Sequence, residues 1–177
     1  ALDRSKIWPI DRFSLRQLSF KSDEFTDKLL LTSFASPFFL LLDKTGRDNF
    51  DDMAMIVFQG ALLNSALINL TKVTAQRTRP YNYNPDAPLD IKLRKSSRYS
   101  FYSGHVATAA YLSITTAQLY SDLHPNSKAR PFVWAAAGLI PAAVAYGRMR
   151  VAKHFLTDVL IGFSAGTAIA LTVPALH

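Results

Sequence analysis

The chain has 177 residues, 49% of them apolar and 19% charged, and carries a formal charge of +7. That length fits one domain with a real core or a small bundle of membrane helices, and the composition excludes a disordered or low-complexity chain. The absence of cysteine rules out disulfide frameworks, thiolate metal sites and cysteine nucleophiles, and the positive balance points to an anionic partner.

Residues 1–27 are polar and of mixed charge. Within them Phe13, Leu15, Leu18 and Phe20 recur loosely along one side, which predicts a short amphipathic helix on a surface. The sequence opens on Ala1 rather than Met, which leaves room for a preceding signal peptide or first helix; the residues given show no signal-peptide pattern.

Five apolar segments follow: Leu29–Leu42, Met53–Thr71, Gly104–Ser121, Pro131–Gly147 and Phe155–Leu176. Met53–Thr71 and Pro131–Gly147 contain no charged residue at all. A membrane span takes about 20 mostly apolar residues, so four of the five are long enough and Leu29–Leu42 is short. The mean hydropathy of +0.09 lies between a soluble enzyme and a lipid-facing bundle. Transmembrane helices are expected, with a soluble all-α core as the alternative. Asp43–Asp52 and Asp122–Arg130 read as short polar loops. Arg79–Tyr99, rich in Pro, Asn and Asp, reads as a longer one without helix.

If the helices alternate in direction, Lys72, the long loop, Ser103–His105 and Arg148–His154 gather at one end with most of the Lys and Arg. Lys44, Arg47, Lys128 and Arg130 fall at the other. Three clusters at that first end have the residue types for chemistry. Lys72 and Arg79 are spaced i, i+7 and would share a helix face, with Arg77 close by; taken alone this is a solvated basic helix end. Ser103-Gly104-His105 opens an apolar helix, where exposed N–H groups suit a phosphate and Ser103 suits an N-cap. His154 and Asp158 are i, i+4, a spacing that lets a carboxylate accept from one imidazole nitrogen and leave the other free as base or nucleophile; a purely structural pair is the alternative.

Taken together, Lys-x6-Arg-Pro, Ser-Gly-His and Arg-x5-His-x3-Asp, in that order and each at a helix boundary, resemble the three-part signature of the type 2 phosphatidic acid phosphatase (PAP2) family. Bacterial nonspecific acid phosphatases and, by fold, vanadium-dependent haloperoxidases are its relatives. The resemblance runs from Lys72 to Asp158. Tyr102 stands where a Pro commonly precedes Ser-Gly-His, and Gly147 where a Ser commonly precedes the Arg. The second change removes a possible phosphate hydrogen bond and leaves the reacting groups in place.

The resemblance implies a single all-α domain over 1–177, a helical bundle of transmembrane helices with its active site at one end. It implies that His154 attacks phosphorus, that Asp158 orients it, and that His105 protonates the leaving oxygen and then activates water. Lys72, Arg79, Arg148, Ser103 and the Gly104 N–H would hold the phosphate oxygens. No metal and no cofactor are implied, and three fixed cations can carry the charge that phosphoryl transfer spreads over the equatorial oxygens. The implied substrate is an anionic phospholipid, a polyprenyl pyrophosphate or a lipid A phosphate. The implied location is a bacterial inner membrane with the site facing the periplasm, although the positive residues at that face run against the positive-inside tendency. A soluble periplasmic acid phosphatase of broad specificity is the alternative, and a haloperoxidase a more distant one, since those chains are usually much longer. The basic run Lys92–Arg98 would also suit nucleic acid, but it matches no nucleic-acid motif, and a basic rim equally suits an anionic lipid.

Overall fold

The structure is a computed structural model that describes residues 2–15 and 21–177. Leu18 and Phe20 of the expected amphipathic segment lie outside the described residues. Before them the chain forms short 3-10 turns at Arg4–Lys6 and Pro9–Leu15 instead of an α-helix.

Helix α1 (Lys21–Ala35) continues into a 3-10 stretch, Ser36–Leu42, where Pro37 cannot donate to the α-helical ladder. The first apolar segment is therefore not short: it is the second half of a span whose first turns lie in what reads as polar N-terminal sequence. After the short α2 (Lys44–Asp48), α3 (Phe50–Ala75) opens with Asp51 and Asp52 in its first turn, where carboxylates suit the helix dipole. It closes on Gln76, in the left-handed region at φ 41°. The expected loop 79–99 instead holds three short helical turns, Pro80–Tyr83, α4 (Leu89–Leu93) and Lys95–Arg98. Helices α5 (Gly104–Leu123), α6 (Arg130–Arg150) and α7 (Leu156–Thr172) complete the bundle. Among the described residues there is no strand.

Helix α5 is the axis. Val106, Ala107, Ala109, Ala110, Tyr111 and Ala117 are fully buried, and the alanines let the surrounding helices close on it. The Tyr111 hydroxyl donates to the Val57 carbonyl at 2.7 Å, across Gly60 on α3, where a Cβ would come within 2.5 Å of it. Asn64 Nδ2 donates to Thr108 Oγ1 at 3.2 Å, and Trp134 Nε1 to Ser121 Oγ at 2.9 Å, so α3 and α6 are each tied to α5 by a polar contact. Hydroxyls such as Thr71 and Thr74 return their protons to carbonyls one turn back, which satisfies them without water.

The outward faces carry Phe34, Phe38, Phe58, Leu62, Leu70, Phe132, Leu139 and Leu160, all exposed, while alanines, hydroxyls and Asn64 point inward. Large apolar side chains outside and small or polar ones inside are what lipid, not water, selects. Four segments, Asp23–Leu42, Phe50–Tyr83, Arg130–Arg150 and Leu156–Leu176, are long and apolar enough to cross a membrane. The protein is an all-α bundle of membrane helices, with α5 enclosed among them. The helices alternate: Asp23, Lys72, Gly104, Arg148 and Asp158 meet at one end, and the Asp43–His124 pair, 3.0 Å apart, marks the other.

Candidate active site

His154 lies in the short link between α6 and α7, 2% exposed. The link turns through Ala152, in the left-handed region at φ 51°, whose carbonyl accepts from the Tyr81 N–H at 2.9 Å. This aims the imidazole inward. Its Nδ1 lies 2.7 Å from the Ser100 carbonyl oxygen. A carbonyl only accepts, so Nδ1 carries the proton and Nε2 keeps its lone pair. The spacing of His154 and Asp158 suggests a direct ring–carboxylate bond; the structure replaces it. The carboxylate stands 3.8 Å from Nδ1. The reason is that α7 begins only at Leu156, so His154 is outside the helix and the i, i+4 face does not exist.

Burial pushes the His154 ring down to about 3; Asp158 pulls the other way, while Arg79 and Arg148 push with burial. The ring is therefore neutral at physiological pH, the form that can attack. The unfolded histidine titrates near its ordinary value of about 6.5, so between that pH and about 3 the unfolded chain binds a proton the native state refuses. Stability is expected to fall as pH drops through that window, and His154→Gln to flatten the slope. Thermal unfolding in detergent from pH 7 to pH 4 checks this; parallel slopes for both proteins would contradict it.

Asp158 is completely buried in the first turn of α7. Oδ2 accepts from the Phe155 N–H at 2.9 Å and from Ser100 Oγ at 2.5 Å, and Oδ1 from Arg77 Nη1 at 2.5 Å. Ser100 thus touches both members of the pair, with its carbonyl on His154 and its hydroxyl on Asp158.

The cations converge from different elements. Lys72 is in the last turn of α3, and a Cβ at Gly104 would stand 3.1 Å from its Nζ, so glycine lets the ammonium reach the start of α5. Arg79 does not share a helix face with Lys72, because α3 stops at Ala75. It is placed instead by Nε on the Ser96 carbonyl at 2.9 Å and Nη2 on the Tyr99 carbonyl at 3.3 Å. Arg148, 3% exposed, comes from the end of α6. Arg79 and Arg148 lie close enough to act electrostatically on both Lys72 and His154. Ser103 precedes α5, but its hydroxyl does not cap the helix. Ser103 Oγ and Arg148 Nε are buried and have no partner among the described residues.

His105 faces a group the sequence gives no hint of. Its Nε2 lies 3.0 Å from Asp27 Oδ1 on α1. The same helix sends Asp23 to Arg148 Nη1 at 2.7 Å and to the Lys153 ammonium. Two carboxylates of α1 thus rest on the basic cluster. Sequence reasoning misses Asp23, Asp27, Lys153, Ser100 and Asp11, because each owes its place to tertiary packing; the i, i+4 spacing of Asp23 and Asp27 puts both on one helix face but does not say what that face meets. Among the described residues no group of three or more His, Asp or Glu is placed to hold a metal ion.

The arrangement sets Arg79 and Arg148 beside a neutral imidazole, a setting suited to an anion, and His105 shares the electrostatic environment of Arg148. Known proteins resemble the chain as follows. The family model of the PAP2 superfamily matches residues 53–177. Phosphatidylglycerophosphatase B of Bacillus subtilis (strain 168) is 35% identical over 123 residues, which are 68% of this chain and 55% of that protein; the chain thus spans little more than half of this relative's length. The crystal structure of a transmembrane PAP2-type phosphatidylglycerolphosphate phosphatase from Bacillus subtilis matches with a TM-score of 0.59 at 27% identity, over 94% of this chain and 82% of that one.

Proposed function

This chain belongs to the PAP2 superfamily, and from that premise we propose that it removes phosphate from a membrane lipid phosphate or pyrophosphate through a phosphohistidine intermediate. The observation that carries the reading is that two of the buried polar atoms without a partner among the described residues, Ser103 Oγ and Arg148 Nε, belong to this cluster: Arg148 acts on the neutral His154 ring, and Ser103 precedes Gly104, against which the Lys72 ammonium rests. Buried donors left unpaired are costly, and an anion relieves both.

In the first step the Nε2 lone pair of His154 attacks phosphorus. The N–P bond forms as the bond from phosphorus to the leaving oxygen breaks, and His105 gives that oxygen its proton. In the second step the neutral His105 takes a proton from water while the water oxygen attacks phosphorus, the N–P bond breaks, and inorganic phosphate leaves. Lys72, Arg79, Arg148, Ser103 Oγ and the Gly104 N–H hold the phosphoryl oxygens throughout. Asp158 offsets the positive charge that the ring acquires in the intermediate. Lys72, Arg79 and Arg148 carry the charge that opposes the phosphoryl oxygens in this reading.

The relatives named above point to phosphatidylglycerophosphate as the first lipid to try; phosphatidic acid and a polyprenyl pyrophosphate are the others. The location that fits is a bacterial inner membrane with the site facing the periplasm. A reporter fused after His177, at the end opposite the site, tests that orientation. The activity is tested by phosphate release from the three lipids in detergent micelles with EDTA present. The expected result is release from at least one of them, with the Michaelis constant raised about ten-fold or more in Ser103→Ala, the loss of one hydrogen bond to a charged group. No release from any of them, or release only when a divalent metal is added back, would overturn the reading.

A further inference from the structure

The N-terminal segment reaches the back of the nucleophile. Asp11, 1% exposed in the turn Pro9–Leu15, places Oδ2 2.6 Å from Arg77 Nη2 and 2.8 Å from Thr157 Oγ1. Its Oδ1 accepts the Thr157 N–H at 2.9 Å, one of the free amides of the first turn of α7. Arg77 in turn puts Nη1 on Asp158 Oδ1 and, at 2.7 Å, on Thr157 Oγ1, and its guanidinium lies 4.3 Å over the Phe155 ring. One arginine thus spans two buried carboxylates, the second of which backs His154. None of the roles described above uses either Arg77 or Asp11, and Asp11 lies outside the residues the family model matches.

We infer that Arg77 and Asp11 are positioning residues of the reaction: the chain Asp11–Arg77–Asp158 fixes the charge and direction of the carboxylate behind His154. Two carboxylates and one guanidinium leave a single net negative charge beside the ring. That is the charge needed to match the cation formed when Nε2 bonds to phosphorus. The groups facing Asp158 are Arg77, Ser100 Oγ, the Phe155 N–H and the His154 ring, with Arg79 further off. Removing Arg77 leaves two carboxylates buried without the cation between them, and frees Oδ1 to turn. Neither Arg77 nor Asp11 touches the substrate in this reading, so their loss should slow the attack and spare binding.

The inference rests on the phosphohistidine reading, and native protein assayed alongside separates the two. Partners behind a reacting group are commonly worth about 10–100-fold in activity. Arg77→Met is expected to lower kcat by that factor with KM changed less than about two-fold, Arg77→Lys to recover most of the loss, and Asp11→Asn to lower kcat several-fold. In an Asp158→Asn background, Arg77→Met should cost almost nothing more, since the carboxylate it holds is gone. Should Arg77→Met not fold, Asp11→Asn gives the same split, a lowered kcat with KM little changed. Native activity with unchanged kcat in folded Arg77 and Asp11 variants would overturn this inference alone, as would losses confined to KM or additive with Asp158→Asn. Native protein without phosphatase activity would overturn the reading beneath it as well.

Discussion

His154→Ala is expected to lose essentially all phosphate release, about 10⁴-fold or more, because it removes the atom that bonds to phosphorus and leaves only binding and electrostatics behind. Three features of the fold act on this one ring. Its Nδ1 proton is committed to the Ser100 carbonyl, its environment keeps it neutral, and two arginines lie within electrostatic reach. Truncation should not unfold the bundle, since the site's other contacts do not pass through the ring: Asp158 keeps Arg77, Ser100 and the Phe155 N–H. The ring is also a burial cost in acid, so the stability lost with its packing is partly offset as pH falls below the ordinary histidine value. Phosphate release and helical circular dichroism measured on the same preparation check both halves. A folded variant with activity within about ten-fold of native would remove His154 from the role of nucleophile.

A large effect on the packing of the bundle is expected at Gly166, on α7. A Cβ there would overlap the Ala107 carbonyl oxygen of α5 and come within 3.0 Å of the Tyr111 amide nitrogen; both are backbone of a helix packed on all sides. Four residues earlier, a Cβ at Gly162 would meet the Ser103 carbonyl at 2.7 Å. The two glycines form a small-x-x-x-small stripe that brings α7 and α5 into backbone contact, the usual way membrane helices associate closely. These helices carry Asp158 and Ser103, and the Ser103 N–H donates to the Asp158 carbonyl at 3.0 Å, so the stripe also sets the spacing of the site. Gly166→Ala is expected to cost about 1–3 kcal/mol, with a larger loss for Gly166→Val, because the neighbour cannot yield. Gly138→Ala is the control: nothing lies within 4 Å of a Cβ there, and alanine is the better helix former. Thermal unfolding in one detergent checks the series. A Gly166→Ala protein as stable as Gly138→Ala would contradict the packing described.

Much of the proposed site is legible in the sequence, because its candidate groups are written into short motifs at helix ends. Ser103, Gly104, His105, Arg148, His154 and Asp158 are brought to one end of the bundle by nothing more than helix length and alternation. What the motifs do not give is the local geometry. The spacing of Lys72 and Arg79 suggests one helix face, but Gln76 ends the helix first. The spacing of His154 and Asp158 suggests a direct bond, but the helix starts after the histidine, and Ser100 takes the ring proton. The polar N-terminal residues read as a surface segment, yet Asp11, Asp23 and Asp27 reach the site, since carboxylates there find cations that no local pattern reveals. The Gly162 and Gly166 spacing was visible, but its meaning depends on knowing which helix lies opposite.

The proposed mechanism requires a covalent bond between phosphorus and His154. Mixing native protein with a lipid substrate labelled with ³²P in the scissile phosphate, and quenching within one turnover, would trap it. The predicted result is label on the protein that survives alkali, is lost in acid as a phosphohistidine must be, maps to the peptide containing His154, and is absent from His154→Ala. Steady turnover with no protein-bound label, or label on any other residue, would contradict the account.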